Sequence, residues 1–332
     1  MNKAILISEM QKFHFGSKII CSDGEDGVLV HVLFNPTTRR LIHLGVKQGR
    51  LFGKSAGTSY ANVESATGDG ITLTIKRSEM TTSTPPAETV QLDSKSVVES
   101  TGSPGKGTLM MVAVHPESGE LAYIVVHNLR AGHATLLKQE YITQLSTGQV
   151  RVNISEAQLN ALPPYRSDRE LQQEVERILF DLTPLHVDLK GMTIRVLDSV
   201  LYLDGNISSS LRGDIARDQV EGVPGLLEIK NRLVGDDTLA ADLAMALGRD
   251  PRTRDLPIGV YPRLGVVRLS GAVHNGQQKA AATEIASKFP GVRSVFNDLV
   301  VNPNADSINV MSPAEGGEAE DKVPGKYIRH TK

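Results

Sequence analysis

The fold is read from residues 200–234, VLYLDGNISSSLRGDIARDQVEGVPGLLEIKNRLV, and residues 266–300, VVRLSGAVHNGQQKAAATEIASKFPGVRSVFNDLV. The two stretches align without a gap at a displacement of 66 positions. Val200 falls on Val266, Leu203 on Leu269, Gly205 on Gly271, Ala216 on Ala282, Pro224-Gly225 on Pro290-Gly291 and Asn231 on Asn297. A fixed displacement of this kind marks one structural unit built twice. Each copy opens with an alternating, β-rich run ending at Gly205 or Gly271, which reads as a strand. Ser209 and Asn275 stand at N-cap positions. A helix is expected from Ser210 to Val220, with Leu211, Ile215 and Ala216 on its inner face. Its counterpart is expected from Gln277 to Lys288, with Ala281, Ala282 and Ile285 in that role. Val223-Pro224-Gly225 and Phe289-Pro290-Gly291 stop the helices. A second strand follows in each copy, residues 226–234 and 292–301. Strand, helix and strand with short connections imply a right-handed parallel crossover.

Working outward, an amphipathic helix precedes each unit, with Leu171, Val175, Ile178 and Leu179 on one stripe and Leu239, Leu243 and Leu247 on the other. A further strand lies between helix and repeat, Met192 to Leu197 and Ile258 to Pro262. The order is αββαβ, a three-stranded sheet with two helices on one face.

The first half carries a weaker duplication at a displacement of 80 positions. Gly27 meets Gly107, Leu29 meets Leu109, Val32 meets Val112, Pro36 meets Pro116, Leu41 meets Leu121 and Val46 meets Val126. VLVHVLF-NPTTRR-LIHLGV and TLMMVAV-HPESGE-LAYIVV read as hairpins with Asn35-Pro36 and His115-Pro116 starting their turns. Tyr60 and Tyr141 each precede another strand and a Gly-turn strand. Short strands at regular spacing argue for a small barrel or curled sheet. The expected class is therefore mixed β and α+β: two small β-barrels followed by two αββαβ domains. The expected boundaries are 1–76 and 89–154 for the barrels, and 168–235 and 236–302 for the αββαβ domains. Residues 77–88 and 155–167 are expected to be linkers, and 303–332 a flexible tail.

Bulk properties narrow the function. The net charge is -2 and the pI about 6.5, aromatic residues are 4% and Trp is absent. Nucleic acid is an unlikely partner, because neither electrostatic attraction nor stacking platforms are provided. Cys21 is the only cysteine, so no internal disulfide can form, which fits a reducing compartment. No stretch approaches the roughly 20 apolar residues of a membrane span. The chain is expected in the cytoplasm, with a peripheral position on the inner face of the membrane left open.

Both repeats resemble known families. The Leu-x-Gly strand end, Ala-containing helix, Pro-Gly turn and Asn-x-Leu-Val of residues 168–302 resemble the BON domain, found in osmotically inducible periplasmic proteins and outer-membrane lipoproteins. Most such proteins are exported. GSKIICSDGEDG, the NPTTRR hairpin and ANVESATGDGITLTI resemble the PRC-barrel, shared by the photosynthetic reaction-centre H subunit and a ribosome maturation factor. The second copy departs from that pattern at STGSPGKG. The resemblances imply protein binding for the PRC-like pair and phospholipid or envelope contacts for the BON pair, with no catalytic motif to carry over.

The candidate chemical groups each have a plain structural reading. GSPGKGT (102–108) lacks phosphate-loop spacing and precedes a strand, so it reads as a turn. The nine histidines include no tight pair such as His-x3-His, although His31 and His43 could face each other across a hairpin. Cys21, beside Ile19 and Ile20, reads as a small buried hydrophobe. Arg249, Arg252, Arg254 and Arg263 form a candidate anion or lipid head-group contact, with Asp250 and Asp255 interleaved. Gly205, Pro224, Gly225, Asn231, Gly271, Pro290, Gly291 and Asn297 are the structural signature of the repeat. No cofactor, metal or catalytic residue is expected. The leading expectation is a non-enzymatic adaptor or self-assembling scaffold with protein partners or itself as ligand. The alternatives are a peripheral phospholipid-binding stress or envelope protein and a ribosome-associated factor.

Overall fold

The computed structural model describes residues 6–49, 55–81 and 88–304. The chain divides into two compact units, Met1–Asp204 with Arg212–Leu233, and Gly205–Leu211 with Val234–Lys332. Residues 82–87 of the expected linker and residues 305–332 of the expected tail lie outside the described residues.

The first unit begins with β1 (Gln11–His14), β2 (Lys18–Cys21), β3 (Gly24–Phe34), β4 (Leu41–Gln48), β5 (Ser55–Ser59), β6 (Val63–Thr67) and β7 (Gly70–Leu73). Then follow β8 (Val90–Asp93), β9 (Val97–Ser100), β10 (Lys106–Val114), β11 (Leu121–Arg130), β12 (His133–Lys138), β13 (Ile142–Ser146) and β14 (Gln149–Val152). One sheet has the order β5-β4-β3-β2-β7-β6 and the other starts β13-β14-β9-β10-β11-β12, so the same sheet is built twice. The first strand of each copy leaves its own sheet. β1 pairs with β10, setting Phe13 opposite Val112, and β8 pairs with β3, setting Leu92 opposite Val32. Phe13, Leu92, Val32 and Val112 are all fully buried in one apolar cluster drawn from both sheets.

The expectation of two small barrels is corrected. Among the described residues neither sheet closes, and β5 and β6, at the two ends of the first sheet, share no ladder. The strand that would extend each sheet is given to the other, so apolar faces are covered by exchange rather than by closure.

The two hairpin turns meet edge to edge. Leu41 N–H donates to Gly119 C=O and Leu121 N–H to Arg39 C=O, at 2.8 and 2.9 Å. Asn35 Oδ1 accepts from the N–H groups of Thr37 and Thr38. His115 Nδ1 accepts from those of Glu117 and Ser118. The histidine thus stands in for an Asx-turn side chain, with Nδ1 unprotonated. Tyr60 Oη donates to the carbonyls of His115 and Pro116, and burial pushes its phenol up to about 12.

His31 and His43 are not opposite each other, as the sequence allowed. His31 pairs with Gly45 and His43 with Ser59, and their rings lie over Gly45 and Gly57, where no side chain competes for the space. Cys21 is buried, and burial pushes its thiol up. Gly102 and Gly105 of GSPGKGT press against the carbonyls of Ile154 and Leu129, and Lys106 starts β10, so the segment is a packed turn.

The chain continues with α1 (Glu156–Ala161) and β15 (Pro164–Tyr165), which pairs with β12. The αββαβ segments follow: α2 (Asp168–Asp181), β16 (Met192–Leu197), β17 (Val200–Ile207), α3 (Ser210–Val220) and β18 (Glu228–Gly235), then α4 (Asp236–Arg249), β19 (Ile258–Arg263), β20 (Val266–Val273), α5 (Gly276–Lys288), β21 (Ser294–Asn297) and β22 (Val300–Val301). β16 and β17 recur as β19 and β20 at the displacement of 66. β20 is central, antiparallel to β19 and parallel to β21 and β22. Leu239, Leu243 and Leu247 of α4 and Ala282 and Ala286 of α5 pack on Val267, Leu269 and Val273, so both helices cover one face.

One helix differs from expectation. Gly213, Ala216 and Val220 are the buried positions of α3, whereas Leu211 and Ile215 are 69% and 38% exposed.

The signature residues have structural duties. Asn231 Nδ2 donates to Gly213 C=O while its Oδ1 accepts from Leu233 N–H. Asn297 does the same with Lys279 C=O and Leu299 N–H. Each asparagine therefore ties the crossover helix to the last strand. Pro224-Gly225 and Pro290-Gly291 turn the chain with positive φ at the glycine. Gly271 adopts φ 118°, and a Cβ there would lie 1.9 Å from Pro257 O.

Gly271→Ala forces a backbone shift and costs more than about 3 kcal/mol in urea denaturation. Gly248→Ala, at an open position in α4, is neutral or stabilises by up to about 1 kcal/mol. Burial lowers the pKa of both His31 and His43, and His31 lowers His43 further. Below about pH 6.5 the unfolded chain takes up these protons first, so stability falls as pH falls. Melting curves between pH 7.5 and 5 should show this loss, and His31→Gln with His43→Gln should flatten it.

Candidate functional site

The outer face of the β16–β18 sheet, the face away from α2 and α3, is where chemistry-bearing side chains converge. The β16–β17 turn is Asp198-Ser199, both with positive φ (52° and 62°). Asp168, the first residue of α2, accepts both turn N–H groups, at 2.7 and 2.8 Å. The same device recurs in the second unit, where Asp236 opens α4 and accepts from Leu264 and Gly265 N–H at 2.7 and 3.2 Å. Its signal was an Asp at the helix start about 30 residues before a two-residue turn, a relation visible once both copies are folded.

Asp198 is buried and collects groups from the N-terminal sheets. Its carboxylate accepts from Gly68 N–H at 2.9 Å, lies 2.6 Å from His14 Nε2, and stands 4.0 Å from Lys12 Nζ, itself buried. Burial pushes the Lys12 ammonium down, while Asp198, Glu228 and Asp168 oppose that shift. Gly68 comes so close that a Cβ would press on Asp198 and Leu197. Asp69 pairs with Arg195 of β16. Ser8 donates twice to Glu228 of β18, from N–H at 2.8 Å and Oγ at 3.0 Å. Val200 is fully buried here. A sheet face carrying Arg195, Leu197, Val200 and Glu228 is thus used to hold protein.

The corresponding face in the second unit presents Tyr261, Arg263, Arg268 and Phe296, and all four are exposed. Arg268 Nε pairs with Asp298 at 3.3 Å.

The four candidate arginines are exposed. Arg249 ends α4, and Arg252 and Arg254 lie in the loop before β19. Arg263 ends β19, roughly 17 Å along the strand from that loop. Arg252 pairs with Asp250 (2.9 Å) and Glu284 (2.8 Å), and Arg254 with Asp255 (3.9 Å). The Arg252 guanidinium holds the Asp250 carboxyl at about 2. Thr253 Oγ1 donates to Leu247 C=O at 2.7 Å and pins the loop. Among the described residues no group of three or more His, Cys, Asp or Glu is placed to hold a metal, and no helix is long and apolar enough to cross a membrane.

Removing one member of a buried charged network leaves the others unpaired. Asp198→Ala should cost about 3 kcal/mol, and hydrogen exchange at the Gly68 and Asp69 amides should quicken more than at β4. An unchanged exchange rate there would show that Asp198 does not hold this junction.

The chain is 26% identical over 194 residues to osmotically-inducible protein Y of Escherichia coli strain K12, covering 54% of this chain and 92% of that protein. Among solved structures it is similar to CdsD, a structural protein of the type III secretion system of Chlamydia trachomatis, at 15% identity and a TM-score of 0.32. That match covers 40% of this chain and 61% of the other, so the chain spans about three fifths of that structure. The C-terminal domain of CdsD gives 17% identity and a TM-score of 0.34, covering 42% and 68%. The BON domain family model matches residues 235–303. Those residues, from the end of β18 through α4, β19–β22 and α5, are a BON domain.

Proposed function

We propose that this chain is a non-enzymatic binding protein, an adaptor or self-assembling scaffold. On this reading residues 168–235 are a second BON domain, and the two exchanged N-terminal sheets are PRC-barrel-like modules. The domain boundaries given from the sequence belong to the same proposal. One observation carries it. The outer face of the β16–β18 sheet already holds protein through Ser8, Gly68 and Asp69. An αββαβ sheet in this chain is therefore a docking surface, and the chain has two. Several modules on one chain give multivalent contacts without further affinity at each.

A second reading is favoured by the relative named for osmotic induction. In it the protein serves in stress or at the envelope and meets phospholipid head groups through Arg249, Arg252, Arg254 and Arg263. The internal pairing of Arg252 and Arg254 weighs against it, because a head group must displace an existing carboxylate. The relative's name fits a role in osmotic stress, and the lone Cys21 supports a cytoplasmic or inner-face position.

Affinity capture of the full chain from native lysate, with protein and lipid identification, separates the readings. The scaffold reading expects a stoichiometric protein partner, which includes further copies of the chain. Recovery of phospholipid alone, together with vesicle co-sedimentation weakened by removing Arg249, Arg252 and Arg254, would favour the second. A monomer that retains neither protein nor lipid would sink both.

A further inference from the structure

The bare face of the BON domain at residues 235–303 is ordered as a platform. Tyr261 of β19, Arg268 of β20 and Phe296 of β21 stand in register in one row across the sheet, and Arg263, Val266 and Ser294 form the next. Tyr261 and Phe296 are 60% and 57% exposed. The equivalent row of the first copy is engaged: Arg195, matching Tyr261, pairs with Asp69, and Val200, matching Val266, is fully buried. Exposed aromatic surface of this kind marks an interaction site.

A surface of matching character lies on α3. Leu211 and Ile215 are one turn apart and exposed, with Asp214 and Asp218 beside them at the same spacing. The αββαβ unit itself does not demand an apolar residue at the Leu211 position, whereas Ala281, the counterpart of Ile215, is buried. The matching positions on α5 are Gln277 and Ala281, and the one corresponding to exposed Leu211 is polar. Arg217 Nη2 bonds Asp218 at 2.7 Å and Arg212 bonds Asp188 at 2.9 Å, which leaves Asp214 as the carboxylate without an ion pair among the described residues. On the platform Arg268 is held by Asp298, and Arg263 is the cation without one.

We propose that α3 of one copy packs on the bare β19–β21 face of a second copy, with Leu211 and Ile215 against Tyr261 and Phe296, and Asp214 against Arg263. This rests on the scaffold reading and names its self-contact. The two surfaces differ, so the contact is head-to-tail: each copy uses its helix on one neighbour and its sheet on the other. Such contacts build rings or open chains instead of a closed pair. One helix on a three-stranded sheet buries little area, so assembly is weak and rises with concentration.

Sedimentation velocity of the full chain, wild type and two variants, tests this. Leu211→Glu with Ile215→Glu spoils the helix surface, and Tyr261→Glu with Phe296→Glu spoils the platform. All four positions are exposed, and matching melting curves will confirm intact folds. The wild type should grow in mass with concentration, and each variant alone should stay monomeric. An equimolar mixture of the two variants should form dimers and stop there, since one good helix and one good platform remain. Should either variant fail to fold, Asp214→Arg and Arg263→Asp replace them: each alone should weaken assembly and the combination should restore it. A wild type that stays monomeric, a mixture that forms no dimer, or a variant that assembles alone would overturn the contact. A monomeric wild type that nevertheless captures a different protein in stoichiometric amount would overturn this contact and leave the scaffold reading standing. A monomeric wild type whose binding to anionic phospholipid vesicles is lost in Tyr261→Glu with Phe296→Glu would overturn it in favour of a lipid surface.

Discussion

The exchange of first strands between the two N-terminal sheets is the constraint on which the first unit depends. β1 completes the second sheet and β8 completes the first, so neither copy has a full sheet without the other. Their apolar residues then form one cluster, in which Phe13 lies against the second sheet and Leu92 against the first. Two sheets that bury a shared core satisfy the surface-to-volume demand that two isolated domains of about 75 residues would each meet with difficulty. The exchanged strands pair with the central strands β10 and β3, beyond the stretches that β9 and β2 cover.

The αββαβ segments carry polar devices beside their apolar packing. An aspartate at the helix start clamps the two-residue turn, and an asparagine ties the crossover helix to the last strand, in both copies. These bonds satisfy backbone groups that a thin three-stranded sheet cannot hide behind side chains. In the first copy the clamped turn has a second use. Asp198 turns its carboxylate outward to Gly68, His14 and Lys12, while Leu264 at the same place offers no such group. With Arg195 and Glu228, where the second copy has Tyr261 and Ser294, this difference separates an attached sheet face from a bare one.

The paired carboxylates around Arg252 illustrate the opposite case. A run of arginines reads as an anion site, yet the fold brings Asp250 and Glu284 onto Arg252 and carries Arg263 to the far end of β19. Charge pattern in sequence counts residues, whereas an anion site needs convergent donors left without partners.

The sequence by itself determined the αββαβ elements, the displacement of 66 and the repeat signature of Gly205, Gly271, Pro224, Pro290, Asn231 and Asn297. These are set by local sterics and by hydrogen bonds that repeat with the chain. It also placed the hairpins of residues 24–48 and 106–130. Only the tertiary structure decided that the sheets remain open, that β1 and β8 change partners, and that Leu211 and Ile215 face outward on a helix whose buried side is Gly213, Ala216 and Val220. Periodicity reports that one side of an element is apolar. Which surface meets that side, and from which copy, is fixed by pairings between residues some 60 to 220 positions apart, and local preference carries no information about those.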